Sequence, residues 1–324
     1  QAGQPDRALQ SLLGEPQARR RPELSILLAQ AYRDGGNSEG AARMFQEVYY
    51  AYPLSSQAAT AREAMAQLRT ELGARFPEPP EEIRTARADI LAGNSRSQEA
   101  LDEYTSLLES RQASQLASRW RIGRARCLIR LRQTGPAIEL LTTGISATPE
   151  VDPERLGLLV EAYFRNSDPA AAEIVLDQLG KLYPQSLSYA SALGAFGNYY
   201  VRQGDWRAAA RYYQPLADTF PLTEDGREAQ WRLTWSCYLD GDLTRAREGL
   251  AQHLMRYPES GHVPGALYWL ARIEEQRGAI KDSLALYAFL RQRFVHSYYA
   301  EPAGLRVTGL QSSMVEQGRA GQAS

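Results

Sequence analysis

Residues 186–221 read SLSYASALGAFGNYYVRQGDWRAAARYYQPLADTFP, and this stretch parses into two helices joined by a glycine turn. Ser186 stands where a hydroxyl can accept from an early helical amide, and Leu193, Phe196, Gly197 and Tyr200 follow on one helical face. Gln203-Gly204-Asp205 closes the first helix and opens the second. Glycine takes the left-handed closing conformation without a Cβ penalty, and aspartate caps the amides that follow. Ala209, Tyr213 and Leu216 mark the inner face of the second helix, which stops at Phe220-Pro221 because proline has no amide proton to continue it. Gly197 and Ala209 are small enough to let the two helices approach closely.

The same signals recur on both sides. Gly204, Gly241 and Gly278 are 37 residues apart, with Ser167 in that place one period earlier. Ala172, Ala209, Ala246 and Ser283 keep the step, as do Pro184, Pro221 and Pro258, each preceded by an aromatic residue. A hydroxyl follows most of these proline positions, at Ser55, Ser186, Thr223, Ser260 and Ser297, while Pro149 is followed by Asp152-Pro153, read as an N-cap with proline at the first helical position. Self-similarity at a fixed period of this size predicts a solenoid of helix pairs. No strand-like alternation of useful length appears, so the fold class expected is all-α, with about sixteen or seventeen helices.

Leu28, Ala29, Tyr32, Gly36, Ala41, Phe45 and Pro53 carry the order Leu, small, Tyr, Gly, Ala, aromatic, Pro most fully. That order resembles the tetratricopeptide repeat, whose unit is about 34 residues, with the additional residues here falling in the proline turn. The resemblance implies antiparallel pairs stacked into a right-handed superhelical solenoid, with some first-helix side chains facing a concave groove.

Composition narrows the function. Apolar residues make up 44% of the 324, enough for a core, and 37 basic against 38 acidic residues leave a net charge of −1. Such a balance gives no general field for nucleic acid or an anionic membrane. Cys127 and Cys237 read as ordinary buried thiols without metal spacing, and no transmembrane run or signal peptide is seen. Pro5-Asp6-Arg7-Ala8-Leu9 reads as the start of a second helix without its first: either the natural protein begins earlier, with room for a signal or anchor that has been removed, or a lone helix caps the solenoid.

The expected organisation is 1–73, N-terminal helical repeats with an extra long helix from Ser56 to Gly73; 74–80, a Pro-rich linker around Pro77, Pro79 and Pro80; 81–307, the helical repeat solenoid; and 308–324, a flexible tail. The Pro-rich piece interrupts the rhythm and marks the expected bend or subdomain boundary.

No catalytic motif, phosphate loop, dinucleotide fingerprint or nucleophile elbow is present, and no catalytic residue, metal ligand or cofactor is assigned. His253, His262 and His296 lack partners at metal spacing, and His253 falls on the inner side of a second helix as a core histidine. Eighteen Tyr and five Trp are more informative. By the repeat register the first-helix groove positions are Glu161, Phe164, Asn198, Arg202, Trp231, Trp235, Tyr238, Tyr268 and Arg272. Trp231, Trp235 and Tyr238 share one helical face, which serves either as a groove for a peptide or sugar rings or as packing between neighbouring repeats. Some tetratricopeptide proteins hold a terminal carboxylate with Lys and Asn on successive first helices; here Asn198 matches, but Gly194 and Trp231 stand where Lys would, so that clamp is not carried over.

The turns Tyr52-Pro53-Leu54-Ser55, Tyr183-Pro184-Gln185-Ser186 and Tyr257-Pro258-Glu259-Ser260, with Ser297-Tyr298-Tyr299-Ala300 and Arg306 at the end, are similar to the superhelical region that precedes the catalytic domain in soluble lytic murein transglycosylases. The Glu-Ser signature and Gly-Leu-Met-Gln stretch of that domain are absent, and the Glu109-Ser110 and Glu259-Ser260 pairs have no Gly-rich sequel. The resemblance implies a non-catalytic helical scaffold of a periplasmic or cell-envelope enzyme, with a protein or peptide ligand or peptidoglycan as partner. Two alternatives stay open: a periplasmic tetratricopeptide adaptor for outer-membrane assembly or wall synthesis, and a generic protein-binding repeat scaffold.

Overall fold

The computed structural model describes residues 21–110, 114–143, 145 and 148–322, with side-chain surroundings up to Val315. The expected helix at Pro5–Leu9 lies outside the described residues. Those residues form sixteen α-helices and one 3-10 turn, with no strand among them. The helices are α1 (Pro22–Asp34), α2 (Ser38–Ala51), α3 (Gln57–Leu72), α4 (Glu81–Gly93), α5 (Ser97–Ser110), α6 (Ala117–Arg130), α7 (Thr134–Thr143) and α8 (Asp152–Arg165). They continue with α9 (Pro169–Leu182), α10 (Leu187–Gln203), α11 (Trp206–Thr219), α12 (Glu224–Leu239), α13 (Leu243–Arg256), α14 (Val263–Gln276), α15 (Ile280–Arg293) and α16 (Ala300–Gln322).

The chain divides into two compact units, one through Val175 and the other from Leu176. Within each, consecutive helices pack as pairs, so the tetratricopeptide-like solenoid of helix pairs expected from the repeat is the fold observed.

The repeat glycines do what their spacing predicts. Gly204, Gly241 and Gly278 have φ of 74°, 85° and 78°, the left-handed region that glycine enters freely. Where the helices touch, a Cβ at Gly197 would drive into the Tyr213 ring, and Ala209 is fully buried.

The capping expectation holds only in part. Ser186 accepts from the Tyr189 amide at 3.1 Å, Thr223 from Gly226 at 3.0 Å and Asp205 from Ala208 at 2.9 Å. Ser260 instead accepts from the His262 amide, Ser55 donates to the Tyr52 carbonyl, and Ser297 Oγ makes no hydrogen bond. Pro264 and Pro302 explain two of these: proline belongs in the first helical turn, so the helix starts at Val263 or Ala300, beyond the hydroxyl's reach. Asp152 is the first residue of α8, not its cap, and its carboxylate pairs with Arg155 at 2.6 Å inside the protein.

Two expected boundaries differ from the structure. Residues 76–80 do break the helices, but the division between units falls at Val175, and the Pro-rich segment lies inside the first unit. Phe76 is buried in that unit's core, and Gln46 Nε2 donates to the Pro77 carbonyl at 2.5 Å, which ties the segment down. At the other end α16 runs past Val307 to Gln322, because no proline interrupts residues 303–322.

Candidate aromatic binding face

In the second unit, α10, α12 and α14 are the first helices of successive pairs. On α12, Trp231 and Trp235 are one turn apart and lie nearly parallel, with centroids 6.4 Å apart at 11°, and Trp235 stacks on Tyr238 at 5.2 Å and 13°. His262, from the turn before α14, lies on Trp231 at 4.7 Å and 5°. Trp269 of α14 presents an edge to Trp235 at 5.0 Å and also meets Tyr238 at 4.9 Å. Tyr268 continues the series to Tyr299 at 5.3 Å, ahead of α16. Gly265 makes this possible, since a Cβ there would press on both Trp231 and Tyr299. The result is a connected aromatic series from Tyr238 to Tyr299.

These rings are spent largely on one another. The broad face of Trp231 is covered by His262, and Trp235 has Trp231, Tyr238 and Trp269 around it. All three tryptophans are half-buried. Unlike Trp120, whose Nε1 donates to Thr85 Oγ1 at 2.7 Å, none of these three has a hydrogen-bond acceptor among the described residues. The face therefore offers indole edges and N–H donors rather than open ring planes.

A polar chain runs beside it. His262 Nε2 pairs with Glu228 at 2.8 Å, Arg232 Nε donates to Glu228 at 2.7 Å, and Arg232 also reaches Asn198, which accepts from the Tyr213 hydroxyl at 2.7 Å. Burial alone would raise the Glu228 pKa, but the bonds from Arg232 and His262 hold it below the usual carboxylate range. Behind Trp231 sits His253, fully buried, with Nδ1 at 2.5 Å from Gln230 Oε1. Gln230 Nε2 already donates to the Gly249 carbonyl at 2.9 Å, so its oxygen must accept and His253 carries its proton on Nδ1. Nε2 is left without a partner, and burial, then His262, lower the His253 pKa from 6.5 to about 4.

The expected groove residues separate accordingly. Trp231, Trp235, Tyr238 and Tyr268 are brought into one series; Arg272 lies beside it, with Nε 3.8 Å from Glu275, which also takes Arg306 at 3.2 Å. Asn198 is engaged by Tyr213 and Arg232, and Arg202 is exposed. Glu161 and Phe164 belong to α8 in the first unit, where Glu161 pairs with Arg165 at 2.9 Å. Sequence reasoning missed Trp269, His262 and Tyr299. The first sits one position off the groove register beside Tyr268, and the other two precede helix starts, where side-chain direction does not follow helical periodicity.

Among the described residues no group of three or more His, Cys, Asp or Glu could hold a metal, and no helix is long and apolar enough to cross a membrane. Cys127 and Cys237 are both buried and free.

Comparison with known proteins finds partial similarity. Tetratricopeptide repeat family models match residues 26–55 and 195–261. No curated protein matches the chain. Among solved structures, the C-terminal part of a TPR repeat-containing protein from Cytophaga hutchinsonii is 16% identical with a TM-score of 0.49, covering 64% of this chain and 78% of that one. A tetratricopeptide repeat protein from Parabacteroides merdae is 14% identical with a TM-score of 0.40, covering 90% and 98%. Yeast Tom70 is 14% identical with a TM-score of 0.40, covering 98% and 65%. The repeat matches cover two segments of the chain, and with the stacked helix pairs they define the class of fold: an all-α solenoid containing tetratricopeptide-like repeats.

Proposed function

We propose that the chain is a non-catalytic scaffold that holds a segment of a partner protein against the aromatic face of its second unit. The observation that carries this is the connected series from Tyr238 to Tyr299 with its three unpaired indole N–H groups. Half-buried rings supply apolar contact, and indole donors suit the carbonyl oxygens of a polypeptide. Sugar stacking needs an open ring plane, and the planes here face one another, so a peptide is favoured over glycan. An arrayed peptide screen with the purified chain tests this. Trp231→Ala combined with Trp235→Ala should weaken the captured peptides by at least about thirtyfold, the loss of one binding hot spot. Capture of no peptide, or capture unchanged in the double variant, overturns it.

A finer reading is supported by the Tyr-Pro-x-Ser turns and by Ser297-Tyr298-Tyr299, whose Tyr299 closes the aromatic series. In that reading the scaffold is the helical part of a cell-envelope protein of the lytic transglycosylase type, which positions a catalytic domain. The chain alone should then release no soluble fragments from peptidoglycan sacculi, and cleavage by it would contradict the reading.

A further inference from the structure

The Pro-rich segment of the first unit builds a cleft that the aromatic face does not involve. Gln46 holds the Pro77 carbonyl, Phe76 is buried with the Arg69 guanidinium 4.6 Å from its ring centre, and Pro79 is buried. Pro79 and Pro80 are thereby fixed as one wall. Met44 and Tyr50 of α2 and Ile83 and Ile90 of α4 supply the others, around 490 Å³ of space. Ile83 remains 46% exposed there, although α4 packs directly on α2.

The chemistry of the walls selects the occupant. Proline has no amide proton, helical amides beyond the first turn are spent within their own helices, and the Gln46 side-chain amide already serves Pro77. An extended peptide pressed into this cleft would leave its carbonyl oxygens without backbone or amide donors, which is costly, whereas an alkyl chain has none to satisfy. At the mouth, Arg43 is exposed and has no ion pair or hydrogen bond among the described residues. Burial and then Glu103 push the Tyr50 pKa up, opposed by Arg84, Arg69 and Arg87; Arg69 and Arg87 are paired with Glu78 and Glu103, but Arg84 is held by Ser106 and Ser110 at 3.0 and 3.2 Å rather than by a carboxylate. Glu47 is the one carboxylate among the lining residues. We propose that this cleft is a binding site for a single aliphatic chain ending in a carboxylate, its alkyl part against Pro79, Pro80, Ile83 and Ile90 and its head group at Arg43.

Calorimetric titration of the full chain with octanoate and decanoate, both below micelle-forming concentrations, tests it. One saturable site is expected, with decanoate about fifteenfold tighter than octanoate, since each buried methylene is worth about fourfold. Decanol, of equal chain length without the charge, should bind about fivefold more weakly. Arg43→Glu should reduce decanoate to the level of decanol, and Glu47→Gln should tighten it. Ala86 lines the cleft and is exposed, so Ala86→Trp should fill the space and abolish binding while the thermal melt stays that of the wild type. Ile83→Asp gives an independent block. Decanol binding as tightly as decanoate, uptake without saturation, or decanoate binding unchanged in both Ala86→Trp and Ile83→Asp would each overturn the assignment.

Discussion

The two units solve the same packing problem with different materials. At the turn between paired helices the second unit places Gly204, Gly241 and Gly278 in the left-handed conformation; the first uses Gly36 in its opening pair, at φ of 78°, but then Ser95, Arg132 and Ser167, at φ of 62°, 62° and 61°. In its interior the first unit buries charge pairs, Arg87 with Glu103 at 2.8 Å and Asp152 with Arg155 at 2.6 Å. The second buries a neutral His253–Gln230 network, with the imidazole edge-on to Trp231 and Tyr257. The regular unit thus runs at low backbone strain, and its one buried carboxylate among the described residues, Glu274, is paired with the partly exposed Arg247 and Arg277. The irregular one tolerates strained turns and pays for buried charge with paired geometry.

The largest effect that would sharpen this contrast is at Trp120, fully buried in the first unit and hydrogen-bonded to Thr85. Trp120→Ala should cost about 3–5 kcal/mol. Amide exchange should accelerate across α4 to α7, because in a repeat array each element leans on its neighbours. Equal acceleration along the whole chain would show that the two units are not separate energetically.

The second unit should respond to acid through His253. The unfolded chain takes up a proton as pH falls through 6.5, while the folded histidine stays neutral until about 4. Stability is therefore full above that window and declines as pH falls through it, by up to about 3 kcal/mol at the lower end. Denaturant titrations of the wild type and His253→Gln should diverge over this range, and parallel curves would show that His253 titrates normally.

Overpacking should reveal the close contact between α10 and α11. Ala209→Leu should cost about 1–3 kcal/mol, measured as a lower denaturation midpoint for the second unit. An unchanged midpoint would mean the site is open. The smallest expected effect runs the other way: Ser167→Gly should stabilise the first unit by up to about 1 kcal/mol, and Gly204→Ser should destabilise the second by a similar amount. If Ser167→Gly is neutral or harmful, the left-handed serine is not the source of strain described here.

The second unit was legible in the sequence because its signals agree: Gly204 predicts the turn, Ala209 the close contact and Pro221 the end of one and the same helix pair, each by a different physical route. The first unit was less so. Arg132 gives no sign of a left-handed turn, and the three prolines after Phe76 suggest a boundary between domains. The anchoring of that segment, through the Gln46 bond to the Pro77 carbonyl, depends on a contact from 31 residues away, which local pattern does not encode. The aromatic face was half visible. Helical spacing joined Trp231, Trp235 and Tyr238, but His262 and Tyr299 enter from turns and complete the series only in three dimensions.

Hydrogen–deuterium exchange of the chain with and without a peptide selected by the array tests the central claim most directly. Protection is predicted over residues 224–239 and 263–276, the two helices that carry Trp231, Trp235, Tyr268 and Trp269, with the first unit unchanged. Protection confined to residues 22–165, or none anywhere, would contradict the assignment of this face as the binding surface.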